Sequence, residues 1–250
     1  MSGHSKWANI KHRKSAQDAK KGKIFTRLGK ELTIAAKHGG SNLDSNFRLR
    51  TMVDKARAAN MPLDNIDRAI KRGTGELPGV SYEEQMYEGY GPEGIAVLVE
   101  YLTDNKNRTV SDMRRMFSSN GGTLAEAGAV AWMFEKKGSI RASSGTATHG
   151  GTATHDGTAT EDALLELLLD FEVENISIDD NIATVITSIK QLESAKKALQ
   201  DAGYKIESAD IEWIAKNEVA LPENKQNKVL EFLEKIEDMD DVQNIYSNLA

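Results

Sequence analysis

The densest functional chemistry in the sequence lies at its start. Lys6-Trp7-Ala8-Asn9-Ile10-Lys11-His12-Arg13-Lys14 is followed by Lys20, Lys21, Lys23, Arg27 and Lys30, and Asp18 is the single acid among these nine lysines and arginines. Cations of one sign at this density suit phosphate. Each one that neutralises a phosphate releases condensed counterions, a large term in nucleic-acid affinity. Trp7 adds an aromatic face that could stack on an unpaired base. The competing reading is a solvated helix face with Trp7 packed inside, but such an excess of one sign exceeds what solubility needs. The candidate nucleic-acid-binding residues are therefore Lys6, Trp7, Lys11, His12, Arg13, Lys14, Lys20, Lys21, Lys23 and Arg27. Contacts of this kind position a protein on phosphate without reading bases. Neither a helix-turn-helix pattern nor an RNA-module signature is present to name the polymer.

Other constellations carry less. Gly89-Tyr90-Gly91-Pro92-Glu93-Gly94 matches G-x-G-x-x-G, yet a dinucleotide fingerprint must open a helix, and here strand-forming residues Ile95 to Leu102 follow. A tight turn is the better reading. His149 and His155 recur six apart without carboxylate or thiolate neighbours, which makes a poor metal site. Glu83, Glu84, Asp104 and Asp112 lack a nearby histidine or nucleophile, and Glu83 and Glu84 read as solvated strand-edge charges. Asp104 to Thr109 reads as a polar turn with Thr109 or Asn107 capping a helix that exposes Arg108, Arg114 and Arg115. Trp132-Met133-Phe134 and Trp213 are expected in the core. No catalytic set, cofactor or metal is expected, and an enzyme with an unrecognised pocket is kept only as a minor alternative.

The elements that must position the basic segment follow from periodicity. Apolar residues at spacings of three and four predict helices over about Ser15 to His38 (Ile24, Phe25, Leu28, Leu32, Ala35) and Ser45 to Ala59 (Leu49, Met52, Val53, Ala56). A third begins with Pro62 in its first turn and ends at Gly73, burying Ile66, Ala69 and Ile70. Pro78-Gly79 then marks a linker. Strands are expected over Tyr82 to Tyr90, Gly94 to Leu102, Ala129 to Glu135, Ala183 to Thr187, Tyr204 to Ile214 and Val242 to Ser247. Helices are expected over Thr109 to Ser118, Ala163 to Phe171, Gln191 to Ala202 and Glu223 to Ile236. Three tandem units, GTATHG, GTATHD and GTATED over 145–162, are too small and polar to build a core and read as a mobile loop.

Charge divides along the same line. Residues 1–75 hold 17 Lys+Arg against 6 Asp+Glu, and the remainder holds 15 against 32, so a total of −6 conceals a head of +11 on a body of −17. The acidic body would repel phosphate and confine contact to the head, leaving itself to contact proteins or a second copy. The apolar runs, such as Ile95 to Val99, are too short for a membrane span, so no membrane partner is expected. A start without a signal core and the absence of cysteine suit the reducing cytoplasm.

The motifs also carry a resemblance. Residues 1–14, Lys21-Gly-Lys, Ala56-Arg-Ala-Ala-Asn-Met-Pro62, Ile66-Asp-Arg-Ala-Ile-Lys-Arg-Gly-Thr-Gly75, Tyr87-Glu-Gly-Tyr-Gly-Pro92, Leu102-Thr-Asp-Asn105, Asn107-Arg-Thr109, Trp132-Met-Phe134 and Asp241-Val-Gln-Asn-Ile-Tyr246 closely resemble the YebC/PmpR family over essentially the whole chain. The resemblance implies a transcriptional regulator that binds promoter DNA. Because mitochondrial relatives are translational activators, it leaves ribosomal or messenger RNA and the ribosome as the alternative partner. It implies an α+β fold: a basic helical domain over 1–77, a discontinuous α+β domain over 78–134 plus 208–250, and an inserted α+β domain over 135–207, both of split βαβ kind. The Gly-Thr-Ala-Thr loop at 143–160 departs from the family pattern.

Overall fold

Three amphipathic helices open the part of the chain that the computed structural model describes, residues 21–143, 161–179 and 181–250. They are α1 (Lys21–Gly39), α2 (Phe47–Ala58) and α3 (Leu63–Thr74). Their apolar stripes meet in one core of Leu32, Ala35, Leu49, Val53, Ala56, Ile66 and Ala69. Asn46 fixes the α1–α2 corner from both sides. Its carbonyl oxygen accepts the Leu49 N–H at 3.0 Å, capping α2, while its amide donates to the Ala35 and Gly40 carbonyls at 2.8 Å each. Gly73 lets α3 approach α1 closely, since a Cβ there would lie 2.2 Å from the Thr33 carbonyl oxygen. The helix stops at Gly75, whose φ of 83° is left-handed.

The first sheet joins β1 (Glu83–Tyr90), β2 (Ala96–Thr103), β3 (Thr123–Ala125) and β8 (Val242–Ser247) in the order β3-β1-β2-β8, with every neighbouring pair antiparallel. Helices α4 (Lys106–Ser119) and α7 (Glu223–Glu237) pack on it through Phe117 and Phe232, whose rings meet edge to face at 5.1 Å. Two glycines of the G-x-G-x-x-G segment make room for those rings. A Cβ at Gly89 would stand 2.5 Å from Phe117, and one at Gly91 2.7 Å from Phe232. Pro92–Gly94 forms a single 3-10 turn in which the Gly94 N–H donates to the Gly91 carbonyl at 3.2 Å, and the Gly91 N–H donates across the loop to the Ile95 carbonyl at 2.7 Å, so the segment is a strand connection.

The second sheet joins β4 (Phe134–Ser143), β5 (Val173–Asp179), β6 (Ile182–Thr187) and β7 (Lys205–Ala215) in the antiparallel order β5-β6-β4-β7, with α5 (Glu161–Leu167) and α6 (Leu192–Asp201) between strands. This is the β-α-β-β-α-β arrangement of ferredoxin-like folds. Ile140, Ala142, Leu164, Leu168, Ala183, Val185, Leu192, Ala195 and Leu199 form its core. By compactness, residues 21–131 and 221–247 belong to one unit and 132–220, with 248–250, to another. The fold class is therefore α+β, with an N-terminal helical region and two antiparallel sheets.

Several local expectations are corrected. The strand expected over Ala129–Glu135 begins only at Phe134, after a 3-10 turn at Ala131–Met133, and runs through Lys136-Lys137-Gly138 to Ser143. Pairing with β7, joined from Gly138 onward by β6 on the other side, holds those weak strand formers extended. Strands β3 and β5 lie where none was expected. Trp132 is 63% exposed rather than in the core, Phe134 is buried, and Met133 and Trp213 are half-buried. Asn105, rather than Thr109 or Asn107, caps α4 by accepting the Arg108 N–H at 3.1 Å. The repeat and its histidines, His149 and His155, lie outside the described residues.

Candidate nucleic-acid interface

Of the candidate residues, Lys6, Trp7, Lys11, His12, Arg13, Lys14 and Lys20 lie outside the described residues, and Lys21 is described only as the first residue of α1. Lys23 and Arg27 are described in full. Helical spacing sets Lys23, Arg27 and Lys30 along one stripe of α1, and that stripe is occupied from within the same unit. Lys23 Nζ lies 3.0 Å from Asp238 Oδ1 and also donates to the Asp238 carbonyl. The Arg27 guanidinium donates to the Glu237 carbonyl and stands 3.9 Å from its carboxylate. Lys30 Nζ donates to Asp241 Oδ1 at 2.7 Å, to the Asp240 carbonyl at 2.9 Å and to the Leu102 carbonyl at 3.3 Å. The acceptors cluster at the end of α7, where unpaired carbonyls and the negative end of the helix dipole favour cations.

Asp241 is the hub of this corner. Its second oxygen accepts from Thr109 Oγ1 at 2.8 Å, Thr103 Oγ1 at 3.1 Å and Arg108 at 3.2 Å. Burial alone would raise its pKa, but the bonds from Lys30, Thr109 and Arg108 outweigh it and hold the carboxyl below the ordinary aspartate value. Three segments of the family resemblance, Leu102–Asn105, Asn107–Thr109 and Asp241–Tyr246, thus converge on one carboxylate.

A second tie joins α1 and α2 to β1. Arg48 donates to Glu31 Oε2 at 3.0 Å and to both oxygens of Glu84. Glu84 is therefore an ion-pair partner and not merely a solvated strand-edge charge, whereas Glu83 is exposed. Burial raises the Glu31 pKa against the opposing pull of Arg48. Glu88, also buried, accepts backbone N–H groups of Gly128, Val130 and Ala131 at 2.6, 2.8 and 2.7 Å. Its burial would raise its pKa, and these three donors lower it.

What remains outward is a different set of cations. Arg57, Arg68 and Arg72 are exposed and make no ion pair among the described residues. Arg50 lies 5.5 Å over the ring of Phe47, itself 61% exposed. Arg50 stands in the first turn of α2, which carries no acid, so its charge opposes the helix dipole. The wheels of α2 and α3 could have found these residues, since they lie off the buried stripes Leu49-Val53-Ala56 and Ile66-Ala69. Among the described residues, no group of three or more His, Asp or Glu side chains is placed to hold a metal ion, and no helix is long and apolar enough to cross a membrane.

A mixed α+β chain with a basic helical region and two antiparallel sheets is what comparison with known proteins also returns. The model of the TACO1/YebC protein N-terminal domain matches residues 5–76, and that of the TACO1/YebC second and third domain matches residues 82–249. The chain belongs to the TACO1/YebC family. It is 50% identical over 248 residues to a protein of Dictyoglomus turgidum named probable transcriptional regulatory protein, covering 99% of this chain and 95% of that one. Identically named proteins of Chlorobium chlorochromatii (51% over 250 residues, 100% and 95%) and Thermotoga maritima (50% over 248 residues, 99% and 93%) are similar throughout. The crystal structure of a conserved hypothetical protein from Aquifex aeolicus superposes with a TM-score of 0.79 at 38% identity, over 93% of this chain and 91% of that one.

Proposed function

We propose that this protein is a nucleic-acid-binding regulator of gene expression that acts in the cytoplasm on DNA, as a transcriptional regulator without catalytic activity. The observation that carries the reading is the set of exposed arginines on α2 and α3, which have no carboxylate partner among the described residues in a chain that has six more acids than bases. Cations that folding leaves unpaired are available to phosphate. The names of the relatives support a regulatory role. In this reading Lys6, Lys11, His12, Arg13, Lys14, Lys20 and Lys21 extend the basic surface and Trp7 stacks on a base. Lys23 and Arg27 serve mainly to dock α1 on the end of α7. The helical domain of 1–77 carries the nucleic acid, and the two α+β domains, 78–134 with 208–250 and the inserted 135–207, present acidic surface to proteins or to a second copy.

Crosslinking in cells followed by sequencing of both DNA and RNA tests the reading. Enrichment of promoter DNA is the expected result. Recovery of ribosomal or messenger RNA without promoter DNA would instead make the protein a translation factor, and recovery of neither would sink the nucleic-acid reading.

A further inference from the structure

We infer that the outward face of α3, formed by Asn65, Arg68 and Arg72, is a phosphate-backbone contact of the nucleic-acid site, an inference that rests on the reading above. The helix is divided cleanly. Ile66 and Ala69 are buried, Gly73 presses against α1, and Asn65, Arg68 and Arg72, each one position earlier and spaced three and four apart, share an exposed stripe about 100° around the helix from them. Side chains one turn apart on a helix stand roughly 6 Å from each other. That matches the scale on which successive phosphates follow one another along a strand.

Three features set this face apart from an ordinary solvated one. Asp67 is engaged with Lys71 at 2.8 Å, and among the described residues neither Arg68 nor Arg72 makes an ion pair. Two guanidiniums at i and i+4 repel one another along the helix, and a phosphate between them would relieve that repulsion. The stem of Arg72 is also held. The chain returns after the helix so that a Cβ at Gly79 would lie 3.0 Å from Arg72 Cγ and 3.2 Å from Cδ. Holding a long side chain before binding reduces the entropy lost on contact. Asn65 adds an uncharged amide donor to the same face, a type of group that commonly bonds phosphate oxygens.

The test is the salt dependence of binding, measured by fluorescence anisotropy with a labelled 30-base-pair duplex DNA and, separately, a labelled 30-nucleotide single-stranded RNA. Two lost phosphate contacts should reduce the slope of log K against log salt by about 1.8 on duplex DNA or about 1.4 on single-stranded RNA. The double variant Arg68→Gln, Arg72→Gln is expected to show that reduction on the polymer the wild type binds, with affinity at least roughly tenfold weaker near physiological salt and an unchanged melting temperature. Gly79→Val should weaken binding by displacing the Arg72 stem while keeping both charges. Wild-type affinity and slope in the double variant would overturn the inference and leave the nucleic-acid reading standing. So would an equal loss in a control lacking Lys196 and Lys197 of α6, since the effect would then follow net charge. A wild type with no salt-dependent binding to either polymer would remove both the reading and the inference.

Discussion

The ammonium of Lys30 and the carboxylate of Asp241 meet at 2.7 Å with side chains only 9% and 15% exposed, joining positions 211 residues apart in sequence. A charge withdrawn this far from water is tolerated because its counter-charge and several hydrogen bonds accompany it. Taking one partner away strands the other. Asp241→Ala is therefore expected to cost roughly 3 kcal/mol in urea unfolding at neutral pH. Lys30→Met should cost a similar amount, and the double variant should lose less than the sum. Strict additivity would show that the two groups act independently.

The same carboxylate sets a pH dependence. Asp241 and Glu88 both titrate below their ordinary values in the folded chain, despite burial that pushes the other way. Their stabilisation is complete above the unfolded carboxylate pKa of about 4. It is lost as pH falls through the lower folded values, because the unfolded chain then binds protons that the folded chain refuses. Stability measured from pH 6 downward should fall less steeply in Asp241→Asn and in Glu88→Gln than in the wild type. A parallel acid limb in both variants would contradict the assignment.

Along α1 the three docking cations differ in depth, and their worth should follow it. Lys23 and Asp238 remain 32% and 58% exposed, so Lys23→Gln should cost under about 1 kcal/mol. That small cost should shrink further in 0.5 M salt, whereas the effect of Lys30→Met should persist. Thermal melts at two salt concentrations separate the cases.

Glycine positions give a steric test. Gly73→Ala would drive a methyl to 2.2 Å from the Thr33 carbonyl, and Gly89→Ala would drive one to 2.5 Å from Phe117. Each is expected to lose roughly 2 kcal/mol through overpacking. Gly79→Ala meets only the stem of an exposed arginine and should stay within about 0.5 kcal/mol of the wild type. Comparable losses at all three positions would mean that conformational freedom, rather than space, selects glycine.

Helices α1 to α3 were legible because amphipathic periodicity is a local property, and Leu32, Leu49, Val53, Ile66 and Ala69 are buried where their spacing put them. What depends on distant partners was not. Lys23 and Arg27 look in sequence like the lysines before them, yet their acceptors, Glu237 and Asp238, come from the far end of the chain. Glu84 looked solvated because Arg48 approaches it from another element. The start of β4 is not legible because Lys136-Lys137-Gly138 carries no strand propensity of its own and is extended by pairing with β7, with β6 joining only from Gly138. β3, three residues long, offers no period to read. Trp132 shows that residue type alone does not decide burial.

Strand β8 pairs with β2 along Val97 to Tyr101, although Val242 is translated about 140 residues after Thr103. At ordinary synthesis rates that is a delay on the order of ten seconds. Through that interval one margin of the first sheet has no partner, and Lys30 has no Asp241 to meet. The second sheet, whose strands all lie between Phe134 and Ala215, can close earlier. Translation that halts before Val242 would therefore release a chain with a finished second sheet and an open apolar edge on the first, a form suited to capture by chaperones and proteases.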